Sequence, residues 1–406
     1  YDARGRLVEK TSIVNSLAYS VLRSYTPGSR ISSTTFPTGR TIDYDRTTCA
    51  YKVDAVSTTY NGNTISLANN LSYRPFGIAK GINKGNSGTV NNQFDQSGRL
   101  TVANPGSPNE RSYTYDPNGN LTSVSSPGNP WYNRTYTYDA LNRLNHAQGP
   151  YGTINYTYDN VGNRITKVAG GQTETHDYIT GTNKLNEITN AETISYTHDA
   201  NGNITNIGNK ILTYNQNNRL IRVEENGTTL GEYTYNGLGQ RVIKAANSVT
   251  TVFHYDFNGN IIAESDQDGN FTVEYLYRGK GRSAMVDVIS GEIYYFGNDR
   301  LGTPQILTDS TNTVVWEGIY KPFGEAEVNP NSSVVNNFRF AGQYFDSETG
   351  FHYNYNRYCD PNTGRYLRPD PIGIAGGINL FLYANNNSIN EIDPLALYTW
   401  PYAWKG

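Results

Sequence analysis

A tyrosine–aspartate motif that returns about every 20 residues constrains this chain more than any other feature of its sequence. The motif is plain from about residue 94, where its aspartates Asp95, Asp116, Asp139 and Asp159 are separated by 21, 23 and 20 residues. Fainter copies open the chain at Tyr1-Asp2 and at positions 44–45. A fixed short period indicates a repeat protein, in which each unit packs mainly against its neighbours.

Each copy predicts one β-hairpin. In Tyr156-Thr157-Tyr158 the two aromatic rings share one face of a strand, because side chains alternate with a period of two. Asp159 then starts a turn through its side-chain oxygen, and Gly162 supplies a residue that tolerates positive φ. The return strand follows. Since a lone hairpin is marginal in water, the copies are expected to share one sheet.

The predicted fold is therefore all-β: a long, spiralling antiparallel sheet of hairpins that forms a hollow shell or part of one, with no helix of consequence. A sheet of this length has to curl, because strands twist in one sense and open edges promote aggregation. A β-propeller would need a period of 40–50 residues, and a row of sandwiches would need linkers. The sequence shows neither.

Tyrosine supplies much of the apolar material. The chain has 34 Tyr but a single Met in 406 residues. Tyrosine packs as an aromatic ring, and we expect its hydroxyl to stay in contact with water. A thin, tyrosine-rich sheet fits this composition better than a compact globule.

Charge and hydropathy exclude several partner classes. The 33 basic and 36 acidic side chains leave a net charge of −3 without a long basic run, so neither a nucleic acid nor an anionic membrane is predicted as partner. No apolar run reaches the roughly 18 residues of a membrane helix. Because the first residues already match the repeat, we expect a fragment of a longer protein.

The cysteines and histidines predict no cofactor or metal. Cys49 and Cys359 are far apart and are more simply two free thiols than a disulfide. The five histidines are scattered without metal-ligand spacing. Two short stretches offer weaker alternatives. Residues 373–377 could suggest a phosphate loop, and residues 266–269 a calcium loop, but both lack the required partners and are interpreted as turns.

The segment from about residue 340 to Leu397 differs from everything before it. It contains two Asp-Pro pairs, at Asp370 and Asp393, and an arginine, Arg357, upstream of both. Two carboxyls at close range tend to share a proton, which suits acid–base chemistry. The plainer interpretation is that both Asp-Pro pairs merely begin turns.

The repeats resemble the YD repeats of Rhs proteins, of the C component of insecticidal toxin complexes and, more distantly, of teneurins. The region from 298 to 397 resembles the Rhs-associated core domain. Its matching pieces are DRLGTP (299–304), YKPFG (320–324), RFAGQYFDSETG (339–350), NRYCDPNTGRY (356–366), DPIG (370–373) and IDPLAL (392–397).

This resemblance implies a shell that encloses a C-terminal toxin and a core domain that plugs it and cuts its own chain. The cut would fall after Leu397, before Tyr398. The catalytic group would be Arg357, Asp370 and Asp393, in a single-turnover reaction of aspartic-protease type.

Three further residues are expected to shape the segment that is cut: Pro371, Pro394 and Ala396. Ala396 stands where the family usually has glycine, so a positive φ there would strain the turn.

The predicted organisation is a repeat shell over 1–292, a core domain over 293–397 and the start of a passenger over 398–406. The expected partners are the enclosed passenger and either a delivery machinery or a second shell component. The protein would be secreted or displayed at the surface of a bacterial cell. The alternative is a structural or adhesive surface protein that cuts no bond, in which the tyrosine rows bind glycans or another protein.

Overall fold

The computed structural model describes residues 1–46, 52–75, 79–104, 110–279 and 281–401. The predicted hairpins are present throughout these ranges as 31 strands of one sheet. They are β1 (Glu9–Val14), β2 (Leu17–Tyr25), β3 (Ile31–Thr35), β4 (Thr41–Asp45), β5 (Ala55–Tyr60), β6 (Asn63–Tyr73), β7 (Ala79–Lys84), β8 (Thr89–Phe94), β9 (Leu100–Ala103), β10 (Arg111–Tyr115), β11 (Leu121–Ser125), β12 (Arg134–Tyr138), β13 (Leu144–Gly149), β14 (Gly152–Tyr158), β15 (Arg164–Ala169), β16 (Gln172–Tyr178), β17 (Leu185–Thr189), β18 (Thr193–His198), β19 (Ile204–Ile207), β20 (Lys210–Tyr214), β21 (Leu220–Glu225), β22 (Thr228–Tyr235), β23 (Arg241–Ala246), β24 (Val249–Tyr255), β25 (Ile261–Ser265), β26 (Phe271–Arg278), β27 (Gly281–Asp287), β28 (Ile293–Asn298), β29 (Pro304–Thr308), β30 (Val314–Tyr320) and β31 (Ala326–Val328).

Six short strands follow, four of them in a second sheet and two in a separate pair. They are β32 (Tyr344–Asp346), β33 (Phe351–Asn354), β34 (Arg357–Asp360), β35 (Arg365–Tyr366), β36 (Glu391–Ile392) and β37 (Trp400–Pro401). The helices in the described ranges are single 3-10 turns at Pro130–Tyr132, Gly373–Gly376 and Ala384–Asn386. None of them has the length and hydropathy that a membrane span requires.

The long sheet is an antiparallel meander. Each strand from β1 to β31 pairs with the next strand along the chain, for example β14 with β15 and β15 with β16. Within the described residues β1 does not pair with β31, so the sheet is not closed by hydrogen bonds. The all-β prediction is confirmed, and the sheet extends through Val328, well past the change of sequence pattern at residue 293.

The motif builds its turn as expected. Tyr156 is buried while Thr157 is exposed, and the register shifts between Thr157 and Tyr158 as the strand enters the turn. The Oδ1 of Asp159 then accepts hydrogen bonds from the backbone N–H groups of Val161 at 3.0 Å and Asn163 at 2.8 Å. One repeat is thus one strand, one turn and one return strand.

The tyrosine hydroxyls correct one expectation. They were expected to stay in water, but nine tyrosines that precede turns donate their hydroxyl to a backbone carbonyl of the preceding repeat. The pairs are Tyr25–Leu7, Tyr73–Val53, Tyr115–Leu100, Tyr138–Leu121, Tyr158–Leu144, Tyr178–Arg164, Tyr235–Leu220, Tyr255–Arg241 and Tyr277–Ile261, at 2.6–3.0 Å. Each hydroxyl thus links its repeat to a backbone acceptor of the repeat before it.

The sheet spirals, because its first strands lie against strands more than 200 residues later. Lys10 donates to the carbonyl of Asp256 at 2.9 Å, and Lys84 donates to that of Phe296 at 3.0 Å. Apolar side chains of β1 to β6 share a buried cluster with those of β17 to β30. The weakly repetitive first ninety residues are therefore a genuine part of the repeat sheet, which we call the wall. Cys49 and residues 76–78 lie outside the described residues.

The closing segment, residues 344–397, lies across the turns of the repeats. Its contacts fall on repeat after repeat. They include Asn387 with Asn120 (3.1 Å), Arg365 with Asn163 (3.1 Å), Asn356 with Arg219 (2.9 Å) and Asp346 with Arg241. This crossing brings the closing segment into contact with turns from many parts of the sheet. The candidate site lies there.

Candidate functional site

Arg357, Asp370 and Asp393 meet at one point of the closing segment. Arg357 begins β34, Asp370 precedes the 3-10 turn at Gly373–Gly376, and Asp393 follows β36. One terminal nitrogen of Arg357, Nη2, lies 2.8 Å from Asp370 Oδ2 and 3.3 Å from Asp393 Oδ2. The three residues that the resemblance singled out are therefore in direct contact.

The group is buried. Arg357, Asp370 and Asp393 are 3%, 7% and 2% exposed. Burial raises the pKa of both carboxyls, the Arg357 guanidinium opposes that rise, and the negative charge of either carboxyl disfavours ionisation of the other. Because one guanidinium serves two carboxyls, the pair is suited to holding a single proton between them.

Asp393 is fixed from several sides. The hydroxyl of Tyr366 donates to its Oδ2 at 2.9 Å, and the backbone N–H of Leu397 donates to its Oδ1 at 2.9 Å. The ring of Tyr366 also lies against the Arg357 guanidinium, 3.6 Å from ring centre to carbon. These donors favour the ionised form of Asp393 over that of Asp370, which accepts fewer hydrogen bonds.

The segment around the predicted cleavage point is a tight loop. Ala396 has φ +53°, the left-handed conformation that is expected to strain an alanine at this position. Its side chain is fully buried. Arg357 Nε donates to the Ala396 carbonyl at 2.8 Å, and Asn356 Nδ2 donates to the Leu395 carbonyl at 2.9 Å. β37 pairs with β36, so both ends of the loop are held with the Leu397–Tyr398 bond between them.

A glycine makes room for the carboxyl and for the carbonyl of the predicted cut. The position that a Cβ would take at Gly376 lies 2.5 Å from Asp370 Oδ2 and 3.1 Å from the Leu397 carbonyl oxygen. Any side chain there would displace one of them. Asp370 and the Leu397 carbonyl therefore both lie against the backbone of Gly376.

Both Asp-Pro pairs also begin turns, as the plainer interpretation holds. Gly373 N–H donates to the Asp370 carbonyl at 3.0 Å, and Ala396 N–H donates to the Asp393 carbonyl at 3.3 Å. Pro371 is exposed, whereas the backbone of Pro394 packs so closely on Gly342 that a Cβ at position 342 would overlap the Pro394 carbonyl. Turn formation and convergence of the carboxyls are thus compatible.

Three residues of this site are not indicated by the sequence: Tyr366, Gly376 and Asn354, which donates to the Asp393 carbonyl at 2.8 Å. No local pattern distinguishes them, because their partners in the loop of the predicted cut lie 21 to 39 residues away. Cys359 adjoins the site and is fully buried. Burial raises the pKa of its thiol well above the usual value, which makes it a poor nucleophile.

The two alternative loops are turns. Residues Gly373–Gly376 form a 3-10 turn, and Asp266 caps the hairpin turn between β25 and β26 by accepting from the backbone N–H of Asn270 at 2.8 Å. Over the described residues, no three His, Cys, Asp or Glu side chains come together as a metal ion would require.

Comparison with known families agrees with this architecture. The family profile described as teneurin YD-shell matches residues 128–390. The chain belongs to the teneurin YD-shell family. The resemblance inferred from the repeats is thereby confirmed.

Several curated proteins are similar over much of this YD-shell chain. The tRNA nuclease WapA of Bacillus subtilis is 31% identical over 275 residues, which cover 65% of this chain and 12% of WapA. The toxin protein Tse5 of Pseudomonas aeruginosa is 25% identical over 380 residues, covering 80% of this chain and 26% of Tse5. The chain therefore spans about an eighth to a quarter of the length of these relatives.

Solved structures share the fold. A crystal structure of TcdB2–TccC3–Cdc42 matches with a TM-score of 0.78 at 19% identity, over 94% of this chain and 22% of that one. The Photorhabdus luminescens Tc holotoxin pore matches with a TM-score of 0.74 at 19% identity, over 96% of this chain and 22% of that one. At this identity the likeness concerns the fold.

Proposed function

We propose that this YD-shell chain cuts its own backbone once, between Leu397 and Tyr398. The observation that supports the proposal is the buried contact of Arg357 with Asp370 and Asp393 at Leu397, whose N–H donates to Asp393 and whose carbonyl lies, like Asp370, against Gly376. Turn formation alone needs neither a second carboxyl nor a shared guanidinium. Two buried carboxyls that face a constrained peptide bond are suited to acid–base hydrolysis.

The proposed roles follow from the hydrogen bonds. Asp393, with three donors, is the ionised partner and removes a proton from a water molecule. Asp370, beside the Leu397 carbonyl, is the protonated partner and gives its proton to that oxygen as the water oxygen bonds to the carbonyl carbon. The C–N bond then breaks, the Tyr398 nitrogen takes the proton from Asp393, and a hydroxyl proton returns to Asp370. The products are a carboxyl at Leu397 and an amine at Tyr398.

Arg357 positions this reaction in two ways. Its Nη2 holds both carboxyls, and its Nε holds the Ala396 carbonyl, one residue before the cut. Holding the acid, the base and the peptide on one planar guanidinium fixes their relative orientation.

We further propose that the segment after Leu397 is a toxin passenger enclosed by the wall. The wall would comprise residues 1–292, the core domain 293–397, and the passenger would start at 398. Support comes from WapA, described as a tRNA nuclease, and Tse5, described as a toxin protein. A second shell component or a delivery machinery would complete the system and carry it out of a bacterial cell. The presence of TcdB2 beside TccC3 in one solved structure supports a second component.

Intact mass under denaturing conditions tests the cut. The wild type is expected to end at Leu397, whereas Asp370→Asn and Asp393→Asn are expected to keep the residues after it. Asp360→Asn is the matched control, because Asp360 is also a buried aspartate of the closing segment but accepts its hydrogen bonds from Asn362 and Thr363 of its own turn. Its mass is expected to equal that of the cut wild type.

Two outcomes would contradict the proposal. Release of the tail from both Asp370→Asn and Asp393→Asn would show that the carboxyls do no chemistry. An uncut wild type would favour the alternative function, a YD-shell that acts only as a wall or a binding surface.

A further inference from the structure

A polar groove of about 640 Å³ opens beside the candidate site, on the turn side of the wall. We call it the asparagine groove, because six asparagines of the repeat turns line it: Asn201, Asn203, Asn215, Asn217, Asn218 and Asn236. Arg219 and Arg368 line it as well, and Asp370 lies at its margin. Nothing in the proposed cleavage requires a groove of this size or this amide content.

Arg219 differs from the arginines at the same position of other turns. In the turns that begin with Asp95 and Asp139, the arginine four residues later pairs with that aspartate at 2.7 Å. The turn that contains Arg219 begins with Asn215 instead, so its arginine has no acid to pair with locally. Arg219 donates to the Tyr355 carbonyl at 2.9 Å and to Asn356 Oδ1 at 2.9 Å, which are neutral acceptors.

Arg368 is a second cation that forms no ion pair within the described residues, although its charge acts on the nearby Asp370. It is 6% exposed, and its Nη2 donates to the Asn356 carbonyl at 2.9 Å. Its Nε has no hydrogen-bond partner in the described part of the chain. Burial and the neighbouring charges of Arg219 and Arg357 lower the pKa of Arg368 to about 10, so it stays protonated at neutral pH beside two other cations.

The described residues do not neutralise this charge. Asp370 is the carboxylate of the groove, and it is engaged by Arg357 at 2.8 Å. Arg219 and Arg368 form no ion pair with any carboxylate among the residues that the structure describes. Two arginines that line a polar cavity without an ion-pair partner favour an oxyanion as the group that it binds.

We propose that the asparagine groove binds an acidic sugar. The two guanidiniums take the carboxylate or phosphate group, and the asparagine amides, which both donate and accept, take the hydroxyls. The groove volume falls within the usual range for small-ligand sites and exceeds what a lone inorganic ion needs. This site is independent of whether the chain cuts itself.

Isothermal titration of the purified chain tests the proposal, with glucuronate and glucose 6-phosphate as the two anionic probes and glucose as the neutral probe. At least one acidic sugar is expected to bind with Kd of about 1 mM or tighter, and glucose at least about tenfold more weakly. Preference for glucuronate assigns a carboxylate as the recognised group. Preference for glucose 6-phosphate assigns a phosphate.

Asn215→Asp is the decisive variant, because it restores the acid of the other turns. Asn215 Oδ1 already accepts from the N–H groups of Asn217 and Arg219 at 3.0 Å, as aspartate does elsewhere, so the turn is expected to survive. The new carboxylate would pair with Arg219 and weaken binding of the acidic sugar at least about tenfold.

Asp139→Asn is the matched control. It makes the opposite exchange at a turn that does not line the groove, and it is expected to leave binding unchanged. Equal binding of glucose and the acidic sugars, or wild-type affinity in Asn215→Asp, would overturn the proposal. Absence of binding by both acidic probes up to about 10 mM would overturn it too.

Discussion

The repeat wall and the closing segment place their charged groups in opposite ways. In the wall, an aspartate finds its partners within four residues, as Asp139 does with Arg143, and the pair stays partly exposed. In the closing segment, Asp346 pairs with Arg241, 105 residues away, and both side chains are fully buried. The ion pairs within the turns of the wall are therefore local and weak, whereas the ion pair of the closing segment is buried and distant, as is that of Arg40 with Glu274 in β26.

This contrast predicts that breaking an ion pair lowers the free energy of unfolding by different amounts in the two regions. An exposed local pair contributes about 0–1 kcal/mol, because water screens it and replaces a lost partner. A buried charge that loses its partner has no such replacement, and breaking the pair costs about 3–5 kcal/mol. Substituting a charged turn residue of the wall is expected to lower the free energy of unfolding only slightly. Substituting a buried charged residue of the closing segment is expected to lower it strongly.

The largest effect is expected from Asp346→Ala. It leaves Arg241 buried among the rings of Tyr233, Phe253 and Tyr353 without its carboxylate. The free energy of unfolding is expected to fall by about 3–5 kcal/mol. Urea denaturation followed by tyrosine fluorescence measures it.

Asp139→Ala is the wall counterpart. It removes an aspartate that pairs with an arginine, but at a partly exposed turn, and about 1 kcal/mol is expected. Equal losses in the two variants would erase the distinction between wall and closing segment.

The same contrast explains what the sequence could predict. Turn and strand signals in the wall are local, so Tyr156 to Gly162 alone indicate a hairpin, and the period indicates a meander. The hydrogen bond from Lys10 to the Asp256 carbonyl could not be predicted, because it depends on the curvature accumulated over some twenty strands. In the site, the resemblance supplied Arg357, Asp370 and Asp393. The roles of Tyr366 and Gly376 could not be predicted, because their contacts with the site form only when the closing segment folds.

A smaller loss is expected from Tyr138→Phe, which tests the hydroxyl contacts of the wall. The substitution removes the bond of 2.7 Å to the Leu121 carbonyl and leaves that carbonyl unsatisfied. A loss of about 1–2 kcal/mol in the free energy of unfolding is expected. Tyr214→Phe is the control at the equivalent position, because the Tyr214 hydroxyl has no partner among the described residues. It is expected to be neutral or stabilising, and a loss as large as that of Tyr138→Phe would assign the effect to ring packing.

The pH dependence of stability separates the two regions by sign. Burial raises the pKa of Asp360 in the closing segment, whereas the side-chain hydrogen bond from Asn270 lowers the pKa of Asp266 in the wall. Protonation of Asp360 therefore stabilises the fold at acid pH, and that contribution is lost as pH rises through the raised pKa. The contribution of Asp266 is present above the ordinary pKa of aspartate and is lost as pH falls through the lowered one.

Asp360→Asn and Asp266→Asn measure these opposite slopes. From pH 4 to pH 7, Asp360→Asn is expected to become more stable relative to the wild type, because it lacks the carboxylate that burial disfavours. From pH 2 to pH 5, Asp266→Asn is expected to become less stable relative to the wild type, which gains an ionised and hydrogen-bonded Asp266. Urea midpoints across these ranges give both slopes, and slopes of the same sign would contradict the assignment.

The smallest effect, and the one that joins the wall's turn chemistry to the site, is expected from Ala396→Gly. The wall places glycine or asparagine at most of its positive-φ positions, whereas the loop before the proposed cut holds an alanine at φ +53°. The left-handed conformation costs an alanine about 1–2 kcal/mol, and the greater freedom of glycine in the unfolded chain offsets about 0.4–1 kcal/mol of that gain. A net stabilisation of up to about 1 kcal/mol is expected, and with it tail release accelerated by up to about fivefold, because the loop adopts the conformation facing Asp370 and Asp393 more readily.

Ala384→Gly relieves a similar φ of +48° at a buried alanine outside the site. If Ala384→Gly stabilises the chain without changing the rate of release while Ala396→Gly changes both, the geometry of the loop limits the cut. If the two variants release the tail at the same rate, the strain at Ala396 has no part in it.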